Sequence, residues 1–455
     1  MIVTSRRKIV LITLALAVIV GVGWFAFHRF LPNYFDREIV NSDEIDKLKT
    51  ADLSRKMEAG ASDEWPQFRG VHRDGWAPSA GMNFDWAKHP PKVKWSVPCG
   101  GGYSSFAVVG GIACTMDRVG GNERVLALDA ESGAVKWAHE YPADYSALRQ
   151  GYGEGPRATP TIQDGRCYTV GATGHMICLQ LPQKEGGTPA ILWEKELLTD
   201  FNTSLAEWGM ACSPLIEGEL VIVQPGGSKG SVAAFHRITG ELKWAAGKDP
   251  NGYSSPVAAT LGGVRQIVAV TGTGILGIRA ENGELLWRHP FETAHKANIA
   301  MPVIADDYVF VSAGYNKGCI CMRVIDTKTE VVYFKPKKLM RNHHSTCVHN
   351  NGFLFGFDDE VLRCVNLRKG VEVEDWAADF GREIKKGSLI LVGDHLVGLT
   401  EHGTLFVATA DPANGKLFGK VENALKGSQC WALPVAVNGM IYLRDAEKAV
   451  CYEAK

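Results

Sequence analysis

The side chains best suited to chemistry recur at one place in a long repeat. Steps of a small residue followed by proline, or degraded forms of that step, end at Phe106, Pro160, Pro214, Pro256, Pro302, Cys347, Leu389 and Pro434. Three residues before these positions the chain reads Tyr103, Arg157, Ala211, Tyr253, Ile299, His344, Lys386 and Trp431. One residue earlier stand Asn298 and His343, and Trp208 lies just outside the register. If each step opens the innermost strand of one unit, these side chains project toward one face as an aromatic and basic ring. Such a ring would hold an anionic or planar ligand, or a strand of a partner protein, by stacking and charge-assisted hydrogen bonds. The same residues would also serve as ordinary loop residues capping a water-filled channel.

His343 and His344, with His349 close behind, invite a metal reading. Adjacent residues of a strand point to opposite faces, so the pair cannot chelate from a regular strand. The chain has no Cys-x-x-Cys and no His-Glu-x-x-His to complete a site. No metal and no catalytic residue is expected. Gly272-Thr273-Gly274 falls between two strands with no helix after it, so it reads as a hairpin turn and not as a dinucleotide loop.

The elements that must carry this ring repeat too. Leu128 to Trp137, His236 to Trp244 and Arg279 to Trp287 share one pattern, with glycine four residues before tryptophan. Runs such as Leu220-Val221-Ile222-Val223 and Tyr308-Val309-Phe310-Val311 are rich in β-branched residues and bounded by turn residues, which argues for strands. A four-stranded propeller blade repeats every roughly 40–50 residues, which suits the positions of the steps. The docking aromatic of each unit reads as Trp137, Trp193, Trp244, Trp287, Phe334 and Trp376, and Asp326 precedes Phe334 by the interval that separates Asp129 from Trp137. The last unit stops at its third strand, Val450 to Lys455, while a strand ending in Trp95 stands at 92–95 with no unit before it. That strand is expected to complete the last unit. Closure removes exposed sheet edges. The expected fold is all-β, an eight-bladed propeller of four-stranded antiparallel blades over 63–455.

The Ala-x-Asp-x-x-(Ser/Thr)-Gly-x-x-x-Trp pattern resembles the tryptophan-docking repeat of quinoprotein-type β-propellers. That family includes pyrroloquinoline-quinone (PQQ) dehydrogenases and the lipoprotein scaffold of the outer-membrane protein assembly machine. Glu64-Trp65-Pro66-Gln67-Phe68-Arg69-Gly70, with Arg73-Asp74-Gly75, is similar to the N-terminal signature of a large bacterial group of such repeat proteins. The resemblance implies eight blades and leaves two functions open, because a fold does not settle an activity. One is a binding scaffold for an envelope protein or small ligand, including a role in outer-membrane protein assembly, with no cofactor. The other is a PQQ-dependent oxidoreductase of alcohols or sugars, with calcium. Dehydrogenases of the family typically carry a vicinal Cys-Cys disulfide against the cofactor, and this chain has no adjacent cysteines. The scaffold is the first expectation.

Lysine and arginine number 49 against 50 aspartate and glutamate, a net charge of −1, so no strong positive field draws nucleic acid. Cys178, Cys364 and Cys451 occupy the repeat position of Ala127 and read as small buried hydrophobes, while Cys167 and Cys178 form a candidate bridge. The apolar run Ile9–Phe27 follows Arg6, Arg7 and Lys8. Its length approaches the ~20 residues of a membrane-spanning helix, and the basic flank belongs to the cytoplasm. The expected order is a basic flank at 1–8, a transmembrane anchor or uncleaved signal at 9–31, a charged linker at 32–62 and the propeller. This organisation predicts a single-pass inner-membrane protein with its propeller in the periplasm.

Overall fold

The computed structural model describes residues 63–455, except 80, 150, 152–154, 185, 378, 379, 381–383, 385 and 428, together with the two-residue strand Ile39–Val40. The chain falls into two units, Met1–Ile39 and Val40–Lys455, and the propeller belongs to the second. Eight antiparallel sheets follow one another along it. From innermost to outermost strand, blade 1 runs from Ala107–Val109 to Val135–Pro142, blade 2 from Thr161–Gln163 to Ala190–Glu196, and blade 3 from Leu215–Glu217 to Leu242–Ala246. Blade 4 runs from Val257–Leu261 to Leu285–Pro290, and blade 5 from Val303–Ala305 to Lys328–Pro336. Blade 6 runs from Val348–Asn350 to Val371–Val373, and blade 7 from Gly387–Val392 to Leu417–Val421.

Blade 8 takes three strands from the end of the chain, Val435–Val437, Met440–Arg444 and Lys448–Glu453. Its fourth is Lys92–Pro98, which pairs antiparallel with Lys448–Glu453 and sets Trp95 opposite Cys451. Middle strands have neighbouring blades on both faces, so Val221–Val223 and Ile267–Val270 are buried throughout. Outermost strands alternate: Trp137 is buried and Ala138, the next residue, is exposed.

The docking repeat has a plain geometric basis. Asp129 Oδ1 accepts the backbone N–H groups of Glu131 and Ser132, which shapes the turn before the outermost strand. The turn glycine has positive φ, 75° at Gly133, 69° at Gly240 and 78° at Gly283. The aromatic ring of the preceding blade lies against that glycine. A Cβ at Gly133 would stand 2.7 Å from Trp95, one at Gly240 2.7 Å from Trp193, and one at Gly283 2.8 Å from Trp244. The indole N–H groups of Trp95, Trp193, Trp244 and Trp376 donate to carbonyls of the next blade, at Ala130, Arg237, Ala280 and Asp411. Across each strand pair a small residue faces the ring: Ala127 faces Trp137, Cys178 faces Trp193 and Gly277 faces Trp287. All eleven cysteines are free, and Cys167 meets Cys114 of blade 1 rather than Cys178.

Blades 2 and 5 lack the glycine turn, and their neighbours show it. Blade 2 carries an inserted loop there, and the buried Nε1 of Trp137 has no hydrogen-bond partner among the described residues. In blade 5 a tight turn at Asp326-Thr327 joins Ile325 to Lys328. Trp287 of blade 4 therefore donates to Gln266 of its own blade.

The tight turn also corrects the docking residue of blade 5. Cys321 faces Tyr333, and the bulge that precedes each docking ring falls just before it. Tyr333 lies on Gly370 and its hydroxyl donates to Leu367 O, whereas Phe334 is 45% exposed. Tyr333→Ala is expected to cost about 3 kcal/mol or more of unfolding free energy and Phe334→Ala less than about 0.5 kcal/mol. Paired urea denaturation curves check this.

The N-terminal signature fills the axis. Trp65 exchanges two backbone hydrogen bonds with Val108 of blade 1, and Ile162 of blade 2 donates to Pro66 O. The Arg73 guanidinium donates to Ser213 O and Pro214 O at the start of blade 3, and to Gln67 Oε1. Arg69 donates to Thr346 O and Cys347 O at the start of blade 6. Trp76-Ala77 then pair in parallel with Leu391-Val392 of blade 7. A segment that touches the innermost strands of blades 1, 2, 3, 6 and 7 has to cross the channel. Both arginines are buried, and burial lowers Arg73 to about 10.

The expected anchor at 9–31, its basic flank at 1–8 and most of the linker at 32–62 lie outside the described residues. Among the described residues no helix is long and apolar enough to cross a membrane. The α-helix Leu197–Phe201 has five residues, far short of the ~20 that a bilayer requires. The expectation of a single-pass inner-membrane protein with a periplasmic propeller is corrected on this ground.

Candidate ligand and partner site at the channel mouth

Each outermost strand is joined to the next innermost strand by a connection over one face of the ring, the mouth. A ladder of hydroxyls holds these connections. The backbone N–H of Ser105 donates to Thr159 Oγ1, that of Thr159 to Ser213 Oγ, and that of Ser213 to Ser255 Oγ. Met301 N–H donates to Thr346 Oγ1 in the same way. The small residue of each step is therefore serine or threonine where its oxygen serves the preceding blade, a reason that smallness alone did not reveal.

Above this ladder the mouth carries a belt of rings. Tyr103 and Trp431 stand with ring centroids 4.9 Å apart, and Trp431 stacks on His344 at 4.9 Å. His344 neighbours His343 at 5.8 Å, and His343 meets Tyr315 edge-on at 4.8 Å. Tyr315 lies 6.1 Å from His295, His295 lies 5.6 Å from Trp208, and Trp208 lies 5.6 Å from Tyr253. The Arg157 guanidinium is 5.7 Å from the Tyr103 ring and its charge reaches Tyr253, which closes the circuit. Lys386 of blade 7 lies near His343 and His344. Each blade thus contributes at least one side chain.

Asn298 does not join this belt. It is buried, its amide donates to Thr271 O and Phe291 O, and its backbone carbonyl accepts the Tyr253 N–H. It positions Tyr253. Tyr315, His295 and Arg149 were not anticipated, although strand parity offered a signal for Tyr315. In an antiparallel blade the turn between the second and third strands returns to the face where the first begins, and Tyr315 occupies that turn in blade 5. Arg149 sits with its guanidinium 5.6 Å from the Trp208 ring and pairs with Glu207, which also accepts from His295.

Burial governs the electrostatics of the mouth. It pushes the Tyr103 and Tyr253 phenols up to about 12, so both are neutral. It lowers Arg157, which stays charged. It brings His343 down to about 4 and His344 well below the ordinary histidine value, with Lys386 adding to both effects. Both imidazoles are neutral at pH 7. The Tyr103 hydroxyl donates to Gln429 Oε1 and the Trp431 indole to Glu401.

Rings with polar rims beside fixed cations suit binding by stacking and hydrogen bonding. Calcium needs a cage of oxygen ligands. No group of three or more His, Cys, Asp or Glu that could hold a metal occurs among the described residues. Among the described residues the acids at the mouth are engaged elsewhere, Glu401 with Trp431, Glu207 with Arg149 and His295, and Asp359 with Arg341. Gly226-Gly227-Ser228-Lys229-Gly230 has the spacing of a hydrolase nucleophile turn, but it joins two strands and no helix follows.

Eight four-stranded blades, several of them locked by glycine-seated aromatic rings, define a quinoprotein-like propeller. The family model described as "Outer membrane protein assembly factor BamB" matches residues 121–373, more than half of the chain, and the protein belongs to that family. No curated protein matches it. Among solved structures, quinohemoprotein alcohol dehydrogenase from Comamonas testosteroni is similar at 13% identity over 89% of this chain and 83% of that one, with a TM-score of 0.58. A computationally designed protein, Ika8, is similar at 13% identity over 78% of this chain and 98% of its own, with a TM-score of 0.51. BamB from Moraxella catarrhalis aligns at 14% identity over 78% of this chain and 85% of its own, with a TM-score of 0.40. At these identities the likeness shows the fold alone. An enzyme and a design share it, so the function rests on the mouth.

Proposed function

We propose that this protein is a binding scaffold whose channel mouth holds a protein partner of the bacterial cell envelope, in the process of outer-membrane protein assembly. The observation that carries this reading is the belt from Tyr103 through Trp431, His344, His343, Tyr315, His295 and Trp208 to Tyr253, flanked by Arg149, Arg157 and Lys386. Tryptophan, tyrosine and arginine dominate the energetics of protein interfaces, because they bury large area and keep a polar handle. The family description supplies the assembly context.

The test is photo-cross-linking from the mouth of the full-length protein in its own host. A reactive group at position 429 is expected to capture an envelope protein. Trp431→Ala is expected to reduce that capture at least tenfold, in keeping with a hot-spot loss of about 2 kcal/mol or more. Equal capture from position 92, on the ring perimeter, would count against the mouth.

The second reading, a PQQ-dependent oxidoreductase, draws on the stacked Trp431–His344 pair between the cations Arg157 and Lys386. Titration with pyrroloquinoline quinone and calcium tests it. Saturable one-to-one binding lost in Trp431→Ala would favour it over the scaffold.

A further inference from the structure

One corner of the mouth differs from the rest of the belt. Several polar handles elsewhere on the belt are engaged: Tyr103 with Gln429, Trp431 with Glu401, His295 with Glu207, and the Tyr253 hydroxyl with the Trp208 backbone N–H. At the corner, Nδ1 of His343 and both ring nitrogens of His344 are buried and have no hydrogen-bond partner among the described residues. Trp431 covers one face of His344, and Tyr315 abuts His343. The Lys386 ammonium bears on both imidazoles. Buried polar atoms without partners are rare in folded proteins, and each calls for an explanation. A ligand that accepts a hydrogen bond from one N–H of each neutral imidazole supplies one for the donor nitrogens.

The group has to be an anionic oxygen acceptor, because an ammonium and imidazole N–H groups face it together. A monoanion is favoured over a phosphate dianion. With both imidazoles neutral and Asp359 paired with Arg341, Lys386 brings one positive charge to the corner, and a dianion would leave a net negative charge in a partly desolvated place. We propose that His343, His344 and Lys386 form a subsite for one carboxylate of an acidic segment on the protein partner. The proposal rests on the protein-binding reading above and names the chemistry by which that partner is recognised.

A consequence separates this role from a purely structural one. Among the described residues, the charged and titratable groups facing the two histidines are Lys386 from blade 7, Asp359 from the blade 6 hairpin and Tyr315 from blade 5. A bound carboxylate adds a negative charge beside neutral imidazoles and raises their proton affinity. Binding therefore takes up protons, and affinity rises as pH falls from 7 toward the free value of His343, about 4.

The experiment is calorimetric titration of the full-length protein with a capped tetraglutamate peptide, its tetraglutamine counterpart, and glutarate as a small carboxylate. The glutamate peptide is expected to bind one-to-one, at least tenfold more tightly than the glutamine peptide, and severalfold more tightly at pH 5.5 than at pH 7.5. Lys386→Gln is expected to weaken it at least fivefold. Lys92→Gln, the same charge change on the exposed perimeter of blade 8, is expected to leave it unchanged. Equal binding of the two peptides, equal loss in the two lysine variants, or no binding of the glutamate peptide to the wild type overturns the proposal. Glutarate binding as tightly as the peptide overturns the assignment to a protein segment. The parent reading fails separately. A cross-linked partner lost in Trp431→Ala but kept in Lys386→Gln removes the carboxylate subsite and leaves the scaffold in place.

Discussion

Trp95→Ala is expected to lower the unfolding free energy by about 3–5 kcal/mol. The indole is buried, lies on Gly133, donates to Ala130 O and meets the Tyr442 ring at 6.0 Å. Truncation removes its apolar area from the interface between blades 8 and 1 and leaves a cavity over a glycine that offers no side chain to refill it. The position matters as much as the area. Strand Lys92–Pro98 is the one part of blade 8 that comes from the front of the chain, so its hold on Lys448–Glu453 is the closure of the ring. Urea denaturation followed by fluorescence measures the loss. Val93→Ala on the same strand, where the side chain is 55% exposed, is expected to change it by less than about 0.5 kcal/mol. A small effect at Trp95 would show that the ring closes without this latch.

Arg73→Ala is expected to cost about 3 kcal/mol, and Arg73→Lys is expected not to restore it. The guanidinium satisfies Ser213 O, Pro214 O and Gln67 Oε1 at once from the middle of the channel. A buried acceptor left without a donor costs about 1–3 kcal/mol. Part of that sum is returned, because burial already disfavours the charged side chain, as its lowering to about 10 records. A lysine ammonium cannot reproduce the planar fork, so three acceptors on two chain segments stay beyond its reach. Thermal or urea unfolding of the two variants against the wild type decides the matter.

The residues show why some of this fold was legible in the sequence and some was not. Blade number and ring closure were readable because the docking turn needs glycine at positive φ under an aromatic ring, and that requirement recurs at Gly133, Gly240 and Gly283. The docking residue of blade 5 was misplaced by one position. Counting from Asp326 assumes a glycine turn, and the tight turn at Asp326-Thr327 shifts the register onto Tyr333. The register rule brought Tyr103, Arg157, Tyr253, His344 and Trp431 to one face, since a connection of fixed design leads into each blade. It failed for Asn298, which turns inward to backbone carbonyls. The plug was not legible. Trp65 to Ala77 binds by backbone pairing and by arginines that donate to carbonyls, and every residue has a carbonyl, so no pattern in the partner strands announces it.

The latch at Trp95 and the plug at Arg69 and Arg73 also impose an order in time. Arg69 reaches a carbonyl 277 residues further along, and the strand that holds Trp95 is the last of the chain. Closing a loop of that length costs roughly 5 kcal/mol of chain entropy before any contact compensates. During synthesis the first segment of the propeller is made long before its binding sites exist, so Trp65, Trp86 and Trp95 stay uncovered until blades 6 to 8 emerge. Such a topology folds slowly and exposes sticky intermediates. The same linkage makes the finished ring hard to open. Blade 8 cannot peel away singly, because strand Lys448–Glu453 is stitched to Lys92–Pro98, and resistance to unfolding becomes a matter of rate as well as of free energy.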